Sequence, residues 1–92
     1  MRSHSVTVRN TLGLHARAAA KFVHAASRYE AHVRVARERR VMDGKSIMGI
    51  LLLAAGCGTE ITISAEGVDE DAAIDTLIRL VESGFGEDPC NT

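Results

Sequence analysis

Gly13-Leu14-His15-Ala16-Arg17 sets an imidazole and a guanidinium two residues apart, directly after a glycine. Those groups can accept and hold a phosphoryl group if the stretch lies where an extended segment gives way to a helix. The first backbone N–H groups of a helix have no intrahelical partner, and the aligned peptide dipoles leave about half a positive charge there, so an anion is favoured. An imidazole, with its ordinary pKa of about 6.5, is largely neutral at pH 7 and keeps one ring nitrogen free to attack phosphorus. The planar fork of donors on Arg17 suits phosphate oxygens. Ser46 is a second candidate. Its hydroxyl can cap the apolar segment that follows it, and it can also be a phosphorylation target, which would add roughly −1.5 to −2 charges at a helix start.

The elements needed to position these residues are legible in the hydropathy pattern. Residues 3–8 alternate, with Val6 and Val8 on one face and Ser5 and Thr7 on the other, as in a half-buried strand. From Ala16 the spacing becomes helical, with Ala16, Ala19, Ala20, Val23 and Ala26 on one stripe, Phe22 at its border, and Arg17, Lys21 and Arg28 outside. Ala31, Val33 and Val35 alternate with His32, Arg34 and Ala36 in a second strand, and a short third strand over 39–42 runs into the turn pair Asp43-Gly44.

Ser46 then caps a short helix whose Ile47, Met48, Ile50, Leu51, Leu52 and Leu53 point almost everywhere, so some must stay on the surface. After Gly56 and Gly58, residues 60–66 form the clearest strand, with Ile61, Ile63 and Ala65 inward. A last helix begins near Asp69, buries Ala73, Ile74, Leu77, Ile78 and Val81, and stops at Gly84. The order βαββαβα predicts an α+β fold, an antiparallel-rich sheet with helices on one face and water on the other.

Ninety-two residues, 46% hydrophobic and 25% charged, make one small domain with one core, which argues against a deep enclosed active site. The longest apolar run, 47–56, falls well short of the ~20 residues of a membrane span, and the N-terminus has no signal-peptide pattern, so a cytoplasmic protein without membrane attachment is expected. The net charge of −1 is unevenly spread: ten Lys/Arg against three Asp/Glu in residues 1–46, one against nine in 47–92. A basic half around His15 favours acidic or phosphorylated partners.

Other candidates for chemistry are weaker. His4, His24 and His32 form no HxxxH or HExxH pattern, so no metal site is expected. Cys57 and Cys90 lie far apart, outside any CxxC pair or disulfide framework, and read as structural or incidental thiols. Arg34, Arg37, Arg39 and Arg40 are basic, but with only Phe22, Tyr29 and Phe85 as aromatic residues there is no stacking platform, and nucleic-acid binding is disfavoured.

Residues 8–23, through Val8-Arg9-Asn10-Thr11-Leu12-Gly13-Leu14-His15-Ala16-Arg17 and Ala19-Ala20-Lys21-Phe22-Val23, resemble the active-site segment of the HPr family, histidine-containing phosphocarriers of the bacterial phosphoenolpyruvate-dependent phosphotransferase system. Asp43-Gly44-Lys45-Ser46-Ile47-Met48-Gly49-Ile50 resembles the family's regulatory serine region, and the similarity continues through Thr62-Ile63-Ser64-Ala65-Glu66-Gly67 to Gly84. The resemblance implies an open-faced β-sandwich, a four-stranded antiparallel sheet with three helices on one face, with a domain over 1–88 and a short tail at 89–92.

The resemblance also implies a function. His15 would take a phosphoryl group from phospho-enzyme I on Nδ1, as a pros-phosphohistidine, and pass it to enzyme IIA domains. The amides of Ala16 and Arg17 and the Arg17 guanidinium would hold the phosphate. Ser46 would be phosphorylated by an HPr kinase/phosphorylase, weakening docking to enzyme I, and Ile47, Met48 and Leu51 or Leu52 would belong to the docking surface. Such a relay protein would be a monomer with no cofactor and no catalysis apart from its partner enzymes. Ala18 departs from the pattern, since the family usually has proline there; alanine still lets the helix begin. The ending Glu82-Ser83-Gly84-Phe85-Gly86-Glu87-Asp88 resembles the nitrogen-related branch. The alternative role is therefore a regulatory interaction module of a phosphotransferase system not coupled to sugar uptake.

Overall fold

Alternating strands and amphipathic helices give this chain one apolar face per element, and in a computed structural model those faces close on a single core. The structure describes residues 1–90. The elements are β1 (Arg2–Thr7), α1 (Ala16–Ala26), β2 (His32–Arg37), β3 (Arg40–Asp43), α2 (Ile47–Leu52), β4 (Glu60–Glu66) and α3 (Glu70–Glu82), followed by a 3₁₀ turn over Gly84–Gly86. The sheet order is β1-β4-β2-β3 and every pairing is antiparallel.

Strand periodicity decides what each face of the sheet meets. Val6, Val33, Val35, Ile61, Ile63 and Ala65 turn inward and are buried beneath the helices. On the open face the register sets Ser3 opposite Ser64 and Ser5 opposite Thr62, and each hydroxyl pair lies 3.1 Å apart. His32 and Arg34 are exposed on β2.

The α1 stripe is rotated from the one its spacing predicts. Ala18, Ala19, Phe22, Ala25 and Ala26 are buried, while Ala16 and Ala20 are exposed and Val23 packs only at the core's edge. Phe22 is the largest apolar side chain on the helix, and bringing it fully inside removes more apolar surface from water than any alanine could. The alanines beside it then let the helix approach closely.

In α2, Ile50 and the following Leu53 fill the core, whereas Ile47, Met48 and Leu52 stay exposed. Leu51 packs partly against the core. The Ser46 hydroxyl accepts from the Gly49 amide at 3.1 Å, the expected cap. At the other end, Arg37 and Arg40 donate to the carbonyls of Leu53 and Leu52, so two of the hairpin arginines are spent on closing the helix. Asp69, expected at the start of α3, accepts from the amides of Glu30 and Ala31, both at 2.8 Å, and so ties α3 to the segment entering β2.

Cys57 and Cys90 correct the reading of independent thiols: they form a disulfide, with a Cα–Cα distance of 6.0 Å. Their separation of 33 residues carries no sign of this. The residues after α3 turn back across Arg9–Thr11, where Pro89 bridges Asn10 and the Cys90 amide donates to the Arg9 carbonyl at 2.8 Å. Positions 89 and 90 of the expected tail are thereby fastened to the domain; positions 91 and 92 lie outside the described residues.

Candidate functional site

The site is built where β1 ends and α1 begins. Val8 stays bound to the turn after α2 through its amide to Thr59 and its carbonyl from Gly58. Asn10 is fully buried and donates through Nδ2 to the Gly13 carbonyl at 2.7 Å, closing a tight loop over 10–13. Gly13 has φ +64°, a conformation that costs an L side chain but not glycine. Leu14 anchors the loop in the core, with its amide donating to Ala55. His15 follows as the N-cap residue of α1, in extended backbone, with no side chain capping the helix. The amides of the first helical turn, Ala16 and Arg17 among them, are therefore free to meet an anion.

His15, Ala16 and Arg17 line one open depression together with Thr11, Leu12 and residues 86–88. Arg17 is exposed at its edge. The His15 side chain is 26% exposed, less than a site at the tip of a loop would be, because the residues after α3 lie partly over it.

Glu87, from that segment, holds the imidazole. Both its carboxylate oxygens lie 2.9 Å from His15 Nε2, and Oε1 also accepts from Asn10 Nδ2 at 3.1 Å. The hydrogen bond from His15, opposed by desolvation and helped by the bond from Asn10, holds the Glu87 carboxyl below its usual pKa. An ionised carboxylate only accepts, so Nε2 carries the ring proton and the lone pair of a neutral imidazole sits on Nδ1.

The spacing around His15 singles out His15, Ala16 and Arg17, and the structure brings all three together. Ser46 and the exposed Ile47 and Met48 do not line this depression; they lie at the start of α2. Glu87 and Asn10 escape sequence reasoning. Asn10 has a local signal, a turn-forming side chain three residues before a glycine. Glu87 has none, since its contact with His15 spans 72 residues. Among the described residues no cluster of His, Cys, Asp or Glu is arranged to hold a metal ion, and no helix is long and apolar enough to cross a membrane.

Known proteins share this fold and sequence along most of the chain. Residues 2–83 match the family model PTS-HPr, described as the PTS HPr component phosphorylation site. The phosphocarrier protein HPr of Pseudomonas aeruginosa is 51% identical over 83 residues, covering 89% of this chain and 92% of that protein. The phosphocarrier protein HPr of Cupriavidus necator is 44% identical over 87 residues, 95% of this chain and 98% of that protein. The crystal structure of HPr-C-His from Thermoanaerobacter tengcongensis superposes with a TM-score of 0.92 at 42% identity, covering 96% of this chain and 99% of that one. With a matching fold, a histidine at the start of α1 and likeness along nearly its whole length, the chain belongs to the HPr family, the phosphocarrier proteins of the phosphotransferase system.

Proposed function

We propose that this protein relays a phosphoryl group on His15, taking it from phospho-enzyme I and handing it to enzyme IIA domains in the cytoplasm. The observation that carries this reading is the His15 ring itself: Nε2 is held by Glu87, at the N-terminus of a helix whose first amides are uncapped. Nδ1 attacks phosphorus, the Nδ1–P bond forms as the bond to the donor breaks, and a pros-phosphohistidine results. The Ala16 and Arg17 amides and the Arg17 guanidinium meet the charge on the phosphoryl oxygens. Glu87, accepting from Nε2–H, faces the positive charge that builds on the ring.

The depression is open, so a second protein's nucleophile can reach the phosphorus in line and take the group away. The protein works in this reading as a monomeric relay and leaves catalysis to the partner enzymes. Ile47 and Met48 supply exposed apolar surface for docking, whereas Leu51 is partly committed to the core and Leu52 is the more available of the two. Ser46, half-buried at the cap of α2 beside that surface, is the regulatory site for an HPr kinase/phosphorylase. Its phosphate would set negative charge against the docking face.

The test is incubation with enzyme I and labelled phosphoenolpyruvate. The parent protein takes up acid-labile label and His15→Ala takes up none; label of that kind persisting in His15→Ala would remove the assignment.

A further inference from the structure

Residues 84–90 form a strap across the His15 site, and its two ends are fixed in different ways. At the near end Phe85 is buried, and its carbonyl accepts from Lys21 Nζ at 2.7 Å. At the far end Cys90 is bonded to Cys57. Glu87 lies between the two anchors. Beyond Glu87, the bonds from the Thr11 amide and hydroxyl to Asp88 and Pro89 and from the Cys90 amide to Arg9 lie among mostly exposed residues, where water competes for the same groups. Without the covalent bond, residues 88–90 keep, among the described residues, only these, while Glu87 keeps its bonds to His15 and to the buried Asn10.

The other cysteine is placed to matter too. Cys57 sits in the turn after α2, one residue from the Gly56 that packs against Gly13 and two from the Ala55 carbonyl that accepts from Leu14. The disulfide thus joins the turn beneath the His15 loop to the strap above it. Both cysteines are partly exposed, so a dissolved thiol or disulfide can reach them.

We propose that Glu87 is a positioning residue for His15 and that the Cys57–Cys90 pair is the redox clasp that keeps it seated. The inference rests on the reading of His15 as the phosphoryl acceptor. In the closed state Glu87 holds the Nε2 proton, keeps Nδ1 free and faces the charge that develops on the ring. Closing the clasp oxidises two thiols to one disulfide, with two electrons and two protons passing to a small-molecule disulfide such as oxidised glutathione, which leaves as two thiols. Dithiothreitol reverses the step and is itself oxidised to its cyclic disulfide. Opening the clasp leaves the strap beyond Phe85 to hydrogen bonds alone, and the chain freedom gained beyond Glu87 draws its carboxylate off the ring.

The experiment compares oxidised protein, dithiothreitol-reduced protein, Cys90→Ser, Glu87→Ala and Glu87→Gln by two readouts. Nitrogen-15 NMR of the His15 ring needs no partner protein. The Nε2–H resonance is expected to be sharp and protected from exchange in the oxidised protein and lost in the reduced protein, Cys90→Ser and Glu87→Ala. Glu87→Gln, whose amide oxygen still accepts, restores it. The second readout is the rate of labelling by enzyme I, expected to fall about tenfold on reduction, with no further redox response in Glu87→Ala. An identical ring spectrum and rate in oxidised and reduced protein would overturn the proposal, as would a full redox response in Glu87→Ala. Absence of labelling in every form would instead overturn the phosphocarrier reading, while the ring spectrum still decides the clasp. Backbone amide spectra of β4 and α3 confirm that each variant is folded.

Discussion

Gly13 and Gly56 meet backbone to backbone: a β-carbon on Gly13 would lie 2.7 Å from the Gly56 Cα and 2.6 Å from the Ala55 carbonyl oxygen. This contact sets the height at which the loop enters α1, and His15 is two residues further on. The absence of a side chain at position 13 is therefore a condition of the site's geometry as well as of the turn.

Gly13→Ala should be destabilising on two counts. Positive φ costs a non-glycine residue about 1 kcal/mol or more, and the new methyl group must displace backbone instead of a flexible side chain. A loss of about 2–4 kcal/mol is expected in urea unfolding. Labelling of the folded fraction by enzyme I should also slow, because the loop carrying His15 has to move. A variant as stable and as fast as the parent would show that the loop relaxes freely.

Ser46 separates capping from charge. Ser46→Ala removes the acceptor for the Gly49 amide and should cost about 1 kcal/mol in urea unfolding, with little change in labelling of His15. Ser46→Asp retains a capping oxygen, so its stability should stay within about 0.5 kcal/mol of the parent. Its added negative charge should slow phosphoryl transfer from enzyme I several-fold. Equal transfer rates in Ser46→Asp and the parent would sever Ser46 from docking.

What the sequence makes legible here is local. The β4 strand, the Ser46 cap and the helix start at His15 each depend on neighbours within a few positions, where spacing and capping chemistry act directly. The α1 face is less legible, because a run of alanines gives a weak apolar stripe and the burial of Phe22 decides the rotation. The Glu87–His15 contact and the Cys57–Cys90 bond depend on where the last residues return, which is a property of the assembled core. No periodicity records them.

The α2 surface contrasts two neighbouring positions. Met48 is 65% exposed, so Met48→Glu should leave stability within about 0.5 kcal/mol while weakening association with enzyme I at least tenfold. Leu51 packs partly against the core, and Leu51→Ala should instead cost about 1–2 kcal/mol in unfolding. Titration calorimetry beside urea unfolding distinguishes the two. The docking assignment fails if Met48→Glu binds as the parent does.

The disulfide joins positions 33 apart and closes a loop that contains β4 and α3. Constraining that loop in the unfolded chain is worth about 2–4 kcal/mol, so the Cys57→Ser, Cys90→Ser double variant should unfold at correspondingly lower urea. Reduced parent protein should coincide with it. A large difference between the two would mean that the serines, and not the missing bond, are responsible.

Asp69 contributes to the pH dependence of the fold, with Glu70 and Glu87, whose carboxyls are also held below their ordinary values. The Glu30 amide first, opposed by desolvation and joined by the Ala31 amide, holds the Asp69 carboxyl below the ordinary carboxylate value of 3.8. The folded protein therefore binds a proton at this site less readily than the unfolded chain. The stabilisation is complete above the unfolded pKa, near pH 4, and is lost as pH falls through the lower folded value. Asp69→Asn should be less stable than the parent at pH 7, since an amide offers one uncharged accepting oxygen where the carboxylate uses both for the Glu30 and Ala31 N–H groups that tie the start of α3 to the segment entering β2. The gap between them should narrow as pH falls below about 4 and close once the parent's Asp69 is protonated. Urea midpoints of both proteins measured from pH 7 to pH 2 test this, and a gap that stays constant across the range would show that Asp69 does not act through its charge.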